Sequence, residues 1–417
     1  MKMLEHMREK VALLNSRWFI GIFAILIVPF FPPEIINHVG TSLFIDAYAW
    51  GGVISAVACA LLYVLLARKD VFSLLSVILP AIVLLSTLSY GGAINLWFSK
   101  WLPCFAIVML VAAFGRSMKR ELLWGLFVVT FTLSVLNLAS ALLFPEGVYA
   151  TNGTAQSGNF FYGNKDSAYR ILFPALCSSF VLDACCGRWL SVRSLFVLAV
   201  SILTVYLATS SATLLALTFL VVLVLCARWE ALRRYLNGLT VTIMGVAGFL
   251  AIVVFRLQHL FDFIIVDALG KSLTFTGRTF IWDKVFELQG IRCFFIGRGV
   301  SGYRELWVND RQYYHAHDGF LDIWLNSGML GVLVLCTMLG LVAFVLYRFR
   351  TRQEAAVYAA VLGAYYLNGI TEPVFSVSFI AVLALAYYSF AGDGHCVPFD
   401  GIKIEKGEGN GWPGLRS

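Results

Sequence analysis

Charged residues are scarce in this chain. Asp, Glu, Lys and Arg make up 13% of its 417 residues, whereas hydrophobic residues make up 60% and the mean hydropathy is +0.82. A soluble domain carries roughly 25% charged residues. The shortage excludes an ordinary soluble protein and indicates a polytopic membrane protein. The net charge of +7 then reflects membrane topology, and no nucleic-acid partner is expected.

Other features are also missing. No small-residue cleavage site follows the first apolar run, 18–31, so a cleavable signal peptide is not expected. The nine cysteines give no disulfide framework, because most lie in or beside apolar segments. We find neither an internal repeat nor a row of charges inside the apolar segments, and both absences count against a transporter.

Apolar segments of the length that a bilayer requires are abundant. We predict an all-α integral membrane protein with about twelve transmembrane helices, near 17–33, 43–67, 71–90, 101–115, 121–144, 168–186, 192–209, 211–227, 237–256, 319–346, 354–371 and 374–391. Cations accumulate on the cytoplasmic side of such proteins. With the N-terminus in the cytoplasm, 20 of the 31 Lys and Arg residues fall on that side, and both termini are cytoplasmic.

Two outer segments, 145–168 and 257–318, are expected to form the functional face of a membrane domain covering 1–391. The second is too long to be a simple connection, and we predict a short amphipathic helix over 280–289, lying against the membrane face. The polar, Gly-rich tail 392–417 is predicted to be disordered and cytoplasmic.

A Gly-x-Gly-x-x-Gly pattern occurs at Gly297, Gly299 and Gly302. A dinucleotide site of this pattern needs a preceding strand and a βαβ unit, and neither is predicted here. We therefore interpret the segment as a turn-rich loop that binds no nucleotide.

The most informative stretch runs from His315 to Gly331, where ionisable side chains stand at the mouth of a membrane helix. Such groups are costly near hydrocarbon and usually mark function. A neutral His317 can act as a general base near pH 7, and either Asp318 or Asp322 can orient its ring. The alternative is a histidine and an aspartate that cap a helix at the water interface.

His315 and His317 can also bind a metal through their imidazole nitrogens. A third ligand is not evident, and no Asp-x-Asp motif appears in the outer segments. The sequence therefore predicts neither a metal nor a cofactor.

Cations in the outer segments form the second set of candidates. A guanidinium offers a fixed fork of donors that suits phosphate oxygens. The candidates for binding a diphosphate are Arg170, Arg256, Arg278 and Lys165. The alternative is that Arg170 and Arg256 only reach the outer interface, whereas the adjacent Gly277 suggests a specific turn at Arg278. Glu372 either faces the same cavity or caps a helix.

Aromatic residues crowd the outer segments: Tyr149, Phe160, Phe161, Tyr162, Tyr303, Trp307, Tyr313 and Tyr314. Aromatic faces stack on the apolar faces of sugars, and they also form belts at membrane interfaces. The sequence leaves both interpretations open.

Together these motifs resemble one family. His317-Asp318, followed after nine residues by Gly328-x-x-Gly331, resembles the signature of the O-antigen ligase and O-antigen polymerase superfamily. The upstream segments 276–282 and 296–299 follow the order seen in that family, and so does 371–372. The stretch 315–322 most resembles the exopolysaccharide polymerase branch.

The resemblance implies a metal-independent, inverting glycosyltransferase of the GT-C type in a bacterial plasma (inner) membrane. It implies a donor glycan on undecaprenyl diphosphate at the outer face, with His317 as general base and Arg170, Arg256 and Arg278 on the diphosphate. His315, Asp322 and Glu372 would support the acceptor side. The family usually has Asn where this chain has Asp318, and that carboxylate can raise the basicity of His317.

The function that we expect is polymerisation of lipid-linked repeat units of a surface polysaccharide. The acceptor would be a glycan or glycolipid, and the bilayer and other polysaccharide-assembly proteins are further partners. A ligase that attaches the finished glycan to lipid A–core or another acceptor is the alternative. A flippase or transporter and a non-catalytic scaffold are the rivals from other classes.

Overall fold

The structure, a computed structural model, describes residues 16–150, 158–257, 260, 277–301, 306–308 and 311–390. The predicted tail 392–417, Tyr303 and most of 257–276 lie outside the described residues. The described chain is mainly helical. In chain order its helices are α1 Ser16–Ile27, α2 Ile36–Val39, α3 Ser42–Leu66, α4 Val71–Ser89, α5 Ile94–Phe114, α6 Lys119–Leu143, α7 Tyr169–Ala184, α8 Val192–Leu207, α9 Ser211–Cys226, α10 Glu230–Tyr235, α11 Gly238–Phe249, α12 Arg278–Leu288, α13 Ile291–Ile296, α14 Gly319–Arg348, α15 Gln353–Gly369 and α16 Val377–Tyr388.

The fold departs from a purely helical one at two short hairpins. β1 (Asn159–Phe160) pairs with β2 (Gly163–Asn164), and β3 (Trp307–Val308) pairs with β4 (Arg311–Gln312), both antiparallel. Both lie in the segments that were predicted to be outer loops. A five-residue π-helical turn, Leu250–Val254, continues α11.

Five helices, α3, α4, α5, α6 and α14, are long and apolar enough to cross a membrane. The chain is therefore an integral membrane protein. Each of the twelve predicted segments contains a helix, so the apolar pattern located the helices correctly. The prediction was wrong at α5, which begins at Ile94 rather than near 101, because Lys100 interrupts the apolar run.

The core is formed by α7, α15 and α16, whose side chains are almost all buried. Tyr365 of α15 packs edge-on against Phe173 at 5.0 Å and against Phe379 at 5.3 Å between ring centroids. By contrast, α3 leaves most of its apolar side chains exposed, as expected of a helix that faces lipid.

Buried carboxylates join the helices at the ends that were predicted to face the cytoplasm. Asp70 caps α4 by accepting the Ser73 N–H at 2.9 Å, accepts the Tyr388 hydroxyl at 3.0 Å and pairs with Arg116 at 3.4 Å. Asp183 similarly pairs with Arg193 at 2.6 Å. A buried carboxylate requires such partners, because an unpaired charge away from water is strongly unfavourable.

The helix α14 is broken at Gly328, whose φ of 62° and ψ of −168° belong to a region that only glycine enters readily. The segment 297–299 lies against the break. The Arg298 N–H donates to the Leu325 carbonyl at 2.7 Å, and the Gly299 N–H donates to the Asn326 carbonyl at 3.0 Å. These bonds satisfy carbonyls that the break leaves without their usual helical partners.

The close approach explains two glycines of the Gly-x-Gly-x-x-Gly pattern. A Cβ on Gly297 would lie 2.5 Å from the Gly328 nitrogen, and one on Gly299 would overlap the backbone of Thr87. Both glycines also have a φ of 72°. These two glycines therefore serve backbone packing against α4 and α14.

Gly297→Ala should destabilise the protein markedly. The left-handed backbone alone costs about 1–2 kcal/mol for a residue with a side chain, and the overlap with Gly328 adds to this. We expect a lower midpoint of thermal unfolding in detergent. Gly290→Ala is the matched control, because nothing lies within 4 Å of its Cβ position. Equal midpoints for the two variants would contradict this account.

Candidate functional site

Hydrogen bonds from backbone N–H groups to nearby side chains hold the loop that carries His317. The Ala316 N–H donates to the Asp322 carboxylate at 3.1 Å, and the His317 N–H donates to Nδ1 of His315 at 3.3 Å. His317 has a φ of 51°, which is uncommon for a residue other than glycine. Such strain is typical of sites whose surroundings impose a particular geometry.

Asp318 is the N-cap of α14. Its carboxylate is fully buried and accepts the Leu321 N–H at 2.7 Å. The expectation that Asp318 or Asp322 orients the imidazole was wrong, since Nδ1 of His317 has no hydrogen-bond partner among the described residues. Both carboxylates bind backbone N–H groups instead. Burial raises the pKa of Asp318 well above its usual range, which favours its neutral form.

The two histidines lie close together, with ring centroids 3.9 Å apart. Burial, and secondarily the positive charge of Arg278, lowers the pKa of His317 to about 4. Burial and the neighbouring cations lower the pKa of His315 well below 6.5. Both rings are therefore neutral at pH 7, and a neutral imidazole can accept a proton. The low pKa opposes the idea that Asp318 makes His317 more basic.

Arg278 is the first residue of α12 and follows Gly277, whose φ of 88° confirms the predicted turn. Its guanidinium donates to the buried carboxylate of Glu372. Glu372 therefore faces the same site as Arg278 rather than capping a helix through its side chain. Burial raises the pKa of Glu372 to about 8, although Arg278 and Arg170 oppose the rise. The predicted amphipathic helix is confirmed as α12, which buries Ile281, Trp282 and Val285.

The other predicted cations differ in their surroundings. Arg170 bonds to the Tyr169 hydroxyl at 3.4 Å and interacts electrostatically with Glu372. Arg256 pairs with Asp283 at 2.5 Å and bonds to the Thr279 carbonyl at 3.3 Å, beside the start of α12. Lys165 is exposed and forms no ion pair with the described residues.

Lys100 also belongs to the site, although no sequence motif marks it. Its charge interacts with Asp322 and with Arg170, and it acts on His315 as well. It is the single charged residue of α5, which was the available signal. Among the described residues it has no carboxylate partner within 4 Å, in contrast to Arg278 and Arg256.

The structure divides the outer aromatic residues into two groups. Tyr149, Phe160 and Tyr162 are buried and pack within the protein. Trp307 is 52% exposed and Tyr314 is 59% exposed. Phe161 and Tyr313 are half-buried, so among the described outer aromatic residues Trp307 and Tyr314 offer the most exposed ring surface to a ligand. Among the described residues, no group of three or more His, Cys, Asp or Glu side chains is arranged to hold a metal ion.

Comparisons with known proteins bear on this arrangement. Residues 196–336 match the family model described as O-antigen ligase. The chain is also 29% identical over 217 residues to the exopolysaccharide production protein ExoQ of Rhizobium meliloti (strain 1021). The resemblance to the O-antigen ligase and polymerase superfamily is confirmed.

The O-antigen ligase match includes Arg278, His315 and His317, whereas Arg170 and Glu372 lie outside it. The similarity to ExoQ covers 48% of this chain and 47% of that protein, so the chain spans about half the length of the curated relative. No solved structure matches the chain.

The titration of His317 tests the electrostatics of the site. Because burial disfavours the imidazolium, we expect His317 to stay neutral as the pH falls below 6.5 and to take up its proton near pH 4. The unfolded chain binds that proton near pH 6.5, so folding stability should decrease as the pH falls through this window. NMR of ¹³C-labelled histidine, with the signal assigned through His317→Gln, measures the midpoint. A midpoint near 6.5 in the folded protein would contradict the buried geometry.

Proposed function

We propose that this chain is a glycosyltransferase that polymerises lipid-linked repeat units of a surface polysaccharide. It would move a glycan from undecaprenyl diphosphate to an acceptor hydroxyl at the outer face of the bacterial inner membrane. The observation that carries the proposal is the neutral, strained His317 beside Arg278, within a segment that matches the O-antigen ligase family.

The reaction would be a single displacement. The acceptor oxygen forms a bond to the anomeric carbon while the bond from that carbon to the diphosphate oxygen breaks, with inversion. The electron pair leaves with the diphosphate, and the hydroxyl proton passes to His317. Charge stabilisation and positioning would supply much of the catalysis, because diphosphate is already a good leaving group.

The cations would act on the leaving group to different degrees. Lys100 and Arg170 form no ion pair with a described carboxylate, so they are available to phosphate oxygens. Arg278 is held by Glu372, whose raised pKa allows it to take up a proton near neutral pH. Protonation of Glu372 would release the Arg278 guanidinium to the diphosphate. Arg256, paired with Asp283, would mainly position the start of α12.

Attachment of a finished glycan to another acceptor is the second candidate function. The description of the matching family favours it, whereas the name of the exopolysaccharide relative favours polymerisation. The same histidine and cations would serve both reactions. We include in the proposal twelve membrane crossings, cytoplasmic termini, a GT-C fold and independence of metal.

His317→Ala should lower kcat/KM by roughly 10²–10⁴, the usual contribution of a general base. The assay uses purified protein in lipid with one undecaprenyl-diphosphate repeat unit, and the length of lipid-linked glycan is the readout. Arg278→Ala is run in parallel. The control is His38→Ala, which removes an exposed histidine that stacks on Tyr149 at 4.3 Å.

A ladder of longer glycans that disappears in the His317 and Arg278 variants would support the polymerase. Transfer only to an added acceptor would identify a ligase. If wild-type protein makes no covalent product with any donor while retaining its lipid, the enzyme proposal is wrong and a transporter or scaffold remains.

Lys100→Met should raise the KM for the lipid-linked donor about tenfold, since one cation near the diphosphate is lost. The effect should diminish at high salt because ions screen the remaining attraction. Lys284→Met is the matched control, because Lys284 lies on α12 and pairs with Glu287 at 2.9 Å. Unchanged donor KM in Lys100→Met would remove Lys100 from the site.

A further inference from the structure

The hairpin β3–β4 stands immediately before the His317 loop and has two different faces. Its register pairs Trp307 with Gln312 and Val308 with Arg311. Residues directly opposite each other on antiparallel strands share a face, and so do residues two apart on one strand. Trp307 and Gln312 therefore lie on one face of the hairpin, and Tyr314, two residues beyond the end of β4, is joined to Gln312 by a side-chain hydrogen bond.

The opposite face fixes the hairpin to the protein. Leu306 is fully buried, and Val308 and Tyr313 pack against the same small core as Trp282 and Leu321. The Tyr313 N–H also donates to the Leu306 carbonyl at 2.9 Å, which extends the ladder. The hairpin is therefore anchored through one face, and the other face is presented outward.

The outward face combines two aromatic rings with an amide. Trp307 and Tyr314 are both more than half exposed, and the Tyr314 hydroxyl donates to Oε1 of Gln312 at 3.2 Å. This bond restrains the Tyr314 ring, so less conformational freedom remains to be lost on binding. By contrast, the carboxylates of Asp318 and Asp322, which follow in the chain, accept hydrogen bonds from backbone N–H groups.

This combination suits a carbohydrate. A sugar ring has an apolar face of C–H groups and a rim of hydroxyls, so it needs flat aromatic surface beside hydrogen-bonding groups. A lipid-facing anchor would not require the Gln312 amide, which bonds to the Tyr314 hydroxyl. Tyr314 directly precedes His315, whose ring centroid lies 3.9 Å from that of His317. The outward face is therefore next to the proposed transfer site along the chain.

We propose that Trp307, Gln312 and Tyr314 form a glycan-binding platform that holds a sugar of the polysaccharide chain next to His317. The proposal rests on the proposed function for the identity of the chain that is bound. Trp307 and Tyr314 would stack on successive sugars, and Gln312 would bond to their hydroxyls. The platform would act in positioning, since none of its side chains takes part in the transfer.

A binding measurement tests the platform independently of catalysis. The probe is a set of oligosaccharides of one to four repeat units, released by mild acid from the surface polysaccharide of the strain that carries this gene. Affinity for full-length protein in lipid nanodiscs is measured by calorimetry. We expect Trp307→Ala and Tyr314→Ala each to weaken binding about tenfold, the scale of one lost stacking contact. Trp307→Phe should retain most of the affinity because it keeps an aromatic face.

Trp229→Ala is the matched control, since Trp229 is 63% exposed and precedes α10, away from the hairpin. Equal affinity of Trp307→Ala and wild type, or no binding by wild type, would overturn the platform. If Trp307→Ala and Tyr314→Ala bind the oligosaccharides more weakly but the wild-type protein does not polymerise, the proposed function is wrong and the platform still holds.

The transfer assay shows which glycan the platform binds. A raised KM for the acceptor with unchanged kcat in these variants assigns the platform to the acceptor glycan. The same change in the donor KM assigns it to the donor glycan.

Discussion

The hydrogen bonds across the break in α14 are the contact on which the rest of the site depends. Interrupting a helix leaves carbonyl groups without partners, and buried groups of this kind must bond elsewhere. Arg298 and Gly299 supply the missing N–H groups at 2.7 and 3.0 Å. Because these donors come from the long outer segment, one set of bonds both stabilises the break and fixes that segment on the helix that begins beside His317.

Charge in the site is balanced by pairing and burial rather than by bulk solvent. Two arginines meet carboxylates, the two histidines are neutral, and the carboxylates near the histidines bind backbone. A buried site with several cations favours an anionic ligand, because each unpaired cation lowers the cost of bringing phosphate out of water. The same arrangement keeps His317 a weak base in the free protein, so an anion that binds nearby would make it more basic.

Much of this could be predicted from sequence where the cause is local. Long apolar runs located the helices, and Gly277 before Arg278 indicated a turn that the structure contains. Asp318 fitted an N-cap, and the structure has it there.

Features that depend on residues distant in the chain could not be predicted from the sequence. The glycines at 297 and 299 are required by Gly328 and Thr87, which lie far away in the chain, and the burial of Phe160 depends on packing against Ala208. The predicted span began after Lys100 because the charge of Lys100 interrupts the apolar run, whereas α5 begins at Ile94.

The two parts of α14 differ in length, and the difference bears on the depth of the proposed reaction in the membrane. Residues 329–348, beyond the break, make about 30 Å of helix, which equals the thickness of the hydrocarbon layer. Residues 319–327, before the break, add about 13 Å. If the longer part crosses the bilayer upright, the shorter one stands among the headgroups, and the proposed transfer would take place in that layer. Under the proposed function, a hydrophilic polymer would then lengthen without any of its sugars entering the hydrocarbon layer, while the lipid carrier would keep its tail in the membrane.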